Sequence, residues 1–121
     1  MARESAVPVI VRSALLGGML TLAAGPCLAA DPVQIVLKDN AFTPNEVRIP
    51  AGERVRIELQ NQGSTVAEFE SADMRFEKVV VAGGTITVSV GPLKPGTYKY
   101  FDEYHPEATG TVTAVQGLAE K

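Results

Sequence analysis

Turn-forming residues recur roughly every ten positions between residues 33 and 115, and nothing between them sustains a helical period. The punctuation is Pro50-Ala51-Gly52-Glu53, Asn61-Gln62-Gly63-Ser64, Gly83-Gly84 and Gly91-Pro92-Leu93-Lys94-Pro95-Gly96, residue types that favour tight reversals. Pieces this short cannot make helices with a face long enough to bury, so the core has to come from paired strands. The intervening segments agree. Val33, Ile35 and Leu37 fall at alternate positions, as do Ile86, Val88 and Val90, while Val55, Ile57 and Leu59 alternate with Arg54, Arg56 and Glu58. Five further runs, 46–49, 66–70, 78–81, 97–101 and 111–115, are rich in β-branched or aromatic residues. The expectation is one all-β domain, a Greek-key β-sandwich of about eight strands. Only Ala72 to Glu77 reads as a short helix.

The first thirty residues are of another kind. Arg3 and Arg12 precede an apolar run from Ala14 to Ala24, then Gly25-Pro26 and the small-residue stretch Cys27-Leu28-Ala29-Ala30. This is the pattern of a secretory signal peptide cut after Ala29 or Ala30. Its apolar core falls short of the roughly 20 residues a membrane span needs, and Pro26 before Cys27 argues against a lipoprotein. The expected organisation is therefore a cleaved leader, 1–30, and a periplasmic domain, 31–121, with no membrane span after cleavage.

That division matters for chemistry. The chain's one cysteine is Cys27, so the domain keeps none, and its single histidine is His105. An intrachain disulfide and a Cys-rich zinc module are excluded. Removing Arg3, Arg12 and Glu4 turns 11 basic and 14 acidic residues into 9 and 13, net -4. Such a balance offers no cationic field to nucleic acid and leans toward cations. A hydrolase is disfavoured too, because no Ser-His-Asp spacing or nucleophilic cysteine is present. A domain of 91 residues without disulfides must draw stability from packing, strand pairing or a bound metal.

Particular residues carry a resemblance. Asn40-Ala41-Phe42-Thr43-Pro44, Val47-Arg48-Ile49-Pro50-Ala51-Gly52-Glu53 and a strand ending at Asn61 resemble the first half of a cupredoxin. Leu93-Lys94-Pro95-Gly96-Thr97-Tyr98-Lys99-Tyr100, Asp102-Glu103-Tyr104-His105 and Gly110-Thr111-Val112 resemble its C-terminal half, where a G-x-Y-x-F stretch leads into the metal loop. In blue-copper members that loop supplies a cysteine, a histidine three positions later and usually a methionine, and an earlier histidine follows the strand-terminal asparagine. Here Asp102 stands in the cysteine's place, His105 keeps its spacing, no methionine follows, and the earlier histidine falls near Ala67-Glu68. Without a thiolate a blue-copper electron carrier is excluded.

Six residues form the candidate metal set: His105 and Asp102 as central ligands, with Glu68, Glu70, Glu77 and Glu103 available to complete the shell. One imidazole among carboxylates suits Fe(II), Fe(III), Mn(II) or Cu(II). Strand alternation aims Asp102 inward with Tyr98 and Tyr100, where a carboxylate needs a metal, an arginine or a loop N–H as partner. Plain alternatives stand beside each role: a loop histidine, a turn-capping Asp102, a solvated glutamate face, and Met74 in the core rather than on copper.

The stretches Glu68-Phe69-Glu70-Ser71, Glu77-Lys78-Val79-Val80, Gly91-Pro92-Leu93 and Phe101-Asp102-Glu103-Tyr104-His105-Pro106 are similar to periplasmic cupredoxin-like proteins of bacterial ferrous-iron uptake systems. That resemblance implies binding of iron and/or copper, assistance in ferrous oxidation, and two partners, a periplasmic metal-binding protein and an inner-membrane iron permease. A copper-handling protein and a metal-free interaction module are the alternatives.

Overall fold

The computed structural model describes residues 30–118. The proposed leader, apart from its last residue, and residues 119–121 lie outside them. The described residues form nine strands and no helix: β1 (Val33–Lys38), β2 (Ala41–Thr43), β3 (Glu46–Pro50), β4 (Val55–Asn61), β5 (Ala67–Ser71), β6 (Phe76–Val80), β7 (Thr85–Val90), β8 (Gly96–Asp102) and β9 (His105–Val115). They make two sheets, one of four strands in the order β2-β1-β4-β7 and one of five in the order β3-β9-β8-β5-β6. β1 and β4 run parallel, as do β3 and β9, and the other neighbours are antiparallel.

The alternating residues named from sequence meet between the sheets. Ile35, Leu37, Ile57, Leu59, Val88 and Val90 come from the four-stranded sheet, and Val47, Ile49, Phe69, Val80, Tyr100 and Val112 from the five-stranded one. Phe42, Phe69 and Tyr100 form an aromatic centre with ring separations of 5.0–5.8 Å. Edge-to-face packing of this kind adds to the stabilisation from burial. Met74 is in the core cluster.

The architecture is the expected β-sandwich, with three local corrections. β2 is a ninth strand, joined to β1 by Asp39 and Asn40, both at positive φ (51° and 57°). Two such residues between paired Lys38 and Ala41 make the I′ turn that suits the twist of a hairpin. Ala72 to Glu77 is not helical. Residues 72–75 turn the chain between β5 and β6, and Phe76 and Glu77 already belong to β6. The turn is favoured because Ser71 Oγ accepts the Met74 N–H and donates to the Lys99 carbonyl, while Phe76 packs on Phe69 at 4.8 Å. Finally, the last strand begins at His105 rather than near Thr111, after a register shift at Phe101/Asp102. Such an irregularity re-aims the side chains beside it.

Candidate metal centre

The β8–β9 turn is built around a buried carboxylate. Asp102 continues the inward alternation of Tyr98 and Tyr100 and is 1% exposed. Its Oδ1 accepts the backbone N–H groups of Glu68 and Tyr104, each at 3.0 Å, and its Oδ2 lies 3.0 Å from His105 Nδ1. Both oxygens are thus committed. Because a carboxylate only accepts, Nδ1 carries the proton and Nε2 is left as the nitrogen able to ligate. The His105 side chain is 29% exposed.

Asp102 and His105 line a cavity of about 250 Å³ together with Leu37, Asn61, Ala67 and the Asp39-Asn40 turn. Ala67 sits in the region that the resemblance assigns to the earlier copper histidine, and it brings no donor. Asn61 supports the opposite wall: its Nδ2 donates to the Thr65 and Val80 carbonyls, and its Oδ1 accepts the Gly63 N–H. The cavity therefore offers one imidazole nitrogen amid oxygen and amide groups. A thiolate copper centre does not fit it, and no electron-transfer step through such a centre follows.

The four glutamates are elsewhere. On β5, Ala67, Phe69 and Ser71 face inward and are buried, so Glu68 and Glu70 project from the outer face of the five-stranded sheet. β6 sets Glu77 directly opposite Glu70. The turn brings in Glu103, whose N–H donates to the Glu68 carbonyl at 3.0 Å. Ligand oxygens of Glu68, Glu70 and Glu103 lie within 4.8 Å of one another. The six candidates thus divide into an inner pair, Asp102 and His105, and an outer quartet, joined by the backbone of Glu68.

Crowding shapes the quartet's electrostatics. Hydrogen bonding shared with Glu77 holds Glu68 below the usual carboxylate value despite its burial. Glu77 is raised by that same contact and by the charges of Glu68 and Glu70. Glu103 is pushed up to about 7 by hydrogen bonding to Glu70 and Glu68 and by their charges. The phenol of Tyr104 is raised, chiefly by the hydrogen bonding and charge of Glu68. Neither Tyr104 nor the Asp39-Asn40 wall is among the six residues chosen from sequence. The Asp-Asn doublet before Ala41-Phe42 was the available signal for that turn.

Residues 12–114 match the family described as Cupredoxin-like domain. An uncharacterized protein of Rickettsia prowazekii, RP394, is 39% identical over 75 residues, covering 62% of this chain and 60% of that protein. This chain thus spans less than two thirds of that relative's length. Among solved structures, a purple cupredoxin from Nitrosopumilus maritimus aligns with a TM-score of 0.57 and 22% identity, over 69% of this chain and 99% of that one. Amicyanin from Paracoccus versutus aligns at 0.57 and 19%, over 72% and 84%. A Cu-containing nitrite reductase from Thermus scotoductus aligns at 0.61 and 22%, over 75% and 24%. Likeness at these identities establishes the fold.

Proposed function

The chain belongs to the cupredoxin-like domain family, and on that premise we propose that it is an exported metal-binding component of iron uptake, taking iron and/or copper at His105. The observation that carries the reading is the buried clamp of Asp102 on Nδ1. A carboxylate hydrogen-bonded to the far nitrogen of an imidazole sets its tautomer and raises the basicity of the ligating nitrogen. Asp102 is a positioning residue in this reading, and oxygen donors with water complete the coordination of Fe(II) or Cu(II). The resemblance stated above supports the rest: periplasmic location, work beside an iron permease and a metal-binding partner, and assistance in ferrous oxidation or delivery.

Anaerobic titration of the metal-stripped protein with Fe(II), and separately Cu(II), tests the centre. Saturable binding that disappears in His105→Ala is expected, and Fe(II) loss on admitting oxygen would extend the reading to oxidation. Binding of the same strength in His105→Ala would end the assignment to this cavity. A second reading, a metal-free docking module, is favoured by the exposed Val66, Val79 and Val81 beside and along edge strand β6 (44%, 54% and 64% exposed). It requires that neither ion binds a well-folded protein.

A further inference from the structure

We propose that β6 is a docking edge that takes an antiparallel strand of a protein partner, one whose apolar and basic side chains share a face. Among the described residues four strands end the two sheets: β2 and β7 on one, β3 and β6 on the other. Three of them offer little to an incoming strand, as is usual for edges. β2 is three residues long, β3 exposes Glu46 and Arg48 and ends at Pro50, and the exposed side chains of β7 are Thr85, Thr87 and Ser89. β6 is different. Val79 is exposed on it, and so are Val81 and Val66, two positions beyond Val79 and its cross-strand partner Glu68.

The backbone of this edge is open at the same residues. Glu68 N–H donates to Asp102 Oδ1, and the Glu68 carbonyl accepts the Glu103 N–H. Both groups of Glu68 therefore point toward β8 and away from β6. The pair Glu68–Val79 is thus a non-hydrogen-bonded one, in which each residue turns its N–H and carbonyl away from the other strand. Val79 aims them at the open edge, and Glu77, two positions earlier, does the same. Lys78 lies opposite Phe69, on the other face, and does not shield them.

Charge selects the occupant. Glu77 stands beside Glu70 on the face that carries Val79 and Glu68. A second copy pairing through β6 would bring its own glutamates alongside these, and like charges on facing strands repel. A partner strand with an apolar residue against Val79 and a lysine or arginine against Glu77 satisfies both halves of the surface, while main-chain hydrogen bonds to those two residues hold it. This occupant takes up the surface named in the docking reading, and it stands whether or not His105 binds a metal.

The probe is a fluorescein-labelled peptide, Thr-Val-Thr-Lys-Thr-Val-Thr-Lys-Thr, followed by anisotropy with EDTA present so that no cation occupies the glutamates. Saturable one-to-one binding is expected, weakening as salt is added. Val79→Lys should weaken it by about tenfold or more, since it sets like charge and a polar head where the valine packs. His105→Ala should leave it unchanged, and circular dichroism checks that each variant is folded. The residues facing Val79 and Glu77 are the ones whose N–H groups point at β6. N-methylation of the peptide's valines and lysines should therefore abolish binding, whereas N-methylation of its threonines should spare it. No saturation up to about 1 mM peptide, equal binding by a peptide with glutamate in place of lysine, equal effects of the two methylation patterns, or undiminished binding in Val79→Lys would each overturn the proposal. So would dimers of the protein that disappear in Val79→Lys, which would give the edge to a second copy. Loss of metal binding at His105 with peptide binding intact would remove only the function proposed for the cavity.

Discussion

Replacing Asp102 by alanine or by asparagine separates what this carboxylate does for the fold from what it does for His105. Alanine removes the acceptor of two backbone amides, Glu68 N–H and Tyr104 N–H, in a residue only 1% exposed. Each amide left unpaired costs about 1–3 kcal/mol. The contact to His105 adds little, because the half-buried imidazole can turn to water. Asp102→Ala should therefore lose about 2–6 kcal/mol. For a domain of this size, a 3 kcal/mol loss lowers Tm by roughly 12–24 °C. Asp102→Asn keeps an oxygen for both amides and should lose less than about 1 kcal/mol. Its amide, however, can only donate to Nδ1, which forces the imidazole proton onto Nε2 and blocks the nitrogen assigned to the metal. Urea unfolding followed by circular dichroism gives the stabilities, with the midpoint moving at constant slope. Titration with Cu(II) gives the binding. The expected pattern is a stable Asn variant that does not bind and an unstable Ala variant. An Ala variant as stable as wild type, or an Asn variant as unstable as Ala, would refute the accounting of the amides. An Asn variant that binds Cu(II) normally would refute the role of the tautomer.

Three further outcomes are expected. A Cβ on Gly110 would collide with the phenol end of Tyr100, Cζ and Oη, so Gly110→Ala should destabilise by about 1–3 kcal/mol or more through overpacking, measured by urea midpoint. Tyr100→Phe should instead be neutral or stabilising, since that hydroxyl is fully buried without a partner and burial pushes its ionisation up to about 12; a clear loss in midpoint would contradict this. Because Glu103 in the folded protein titrates near 7, above its ordinary 4.5, the folded state holds more protons than the unfolded one between those values. Its contribution to stability is full below about 4.5 and is lost as pH rises through about 7. The Tm of Glu103→Gln minus that of wild type should thus grow from pH 4.5 to 7.5, and a flat difference would contradict the crowding at the quartet.

Period-two alternation and turn spacing made most of the sandwich legible, because a strand with one buried face writes its burial directly into sequence. The misses were places where local pattern and tertiary contact disagree. Ala72 to Glu77 lacks breakers and looked helical, yet the Ser71 hydroxyl and the Phe69–Phe76 contact make it a hairpin turn. β2 is three residues long, too short to show a period. The inward aim of Asp102 was readable because it continues the parity of Tyr98 and Tyr100. Its partners were not, since the Glu68 amide is 34 positions away.

From the chain itself follow the β class, the face each strand buries, the lack of a thiolate in the domain and the small inventory of donors. Those are properties of residue type and period, and they need no knowledge of which strands become neighbours. Only the tertiary structure decided how the donors divide. The pairing of β5 with β6 and β8 gathers the glutamates outside one sheet, while the register shift at Phe101/Asp102 turns Asp102 and His105 into the cavity at its end. Adjacent residues of a strand point to opposite faces. One step along β5, from Ala67 to Glu68, is therefore enough to pass from the cavity wall to the outer face of the sheet.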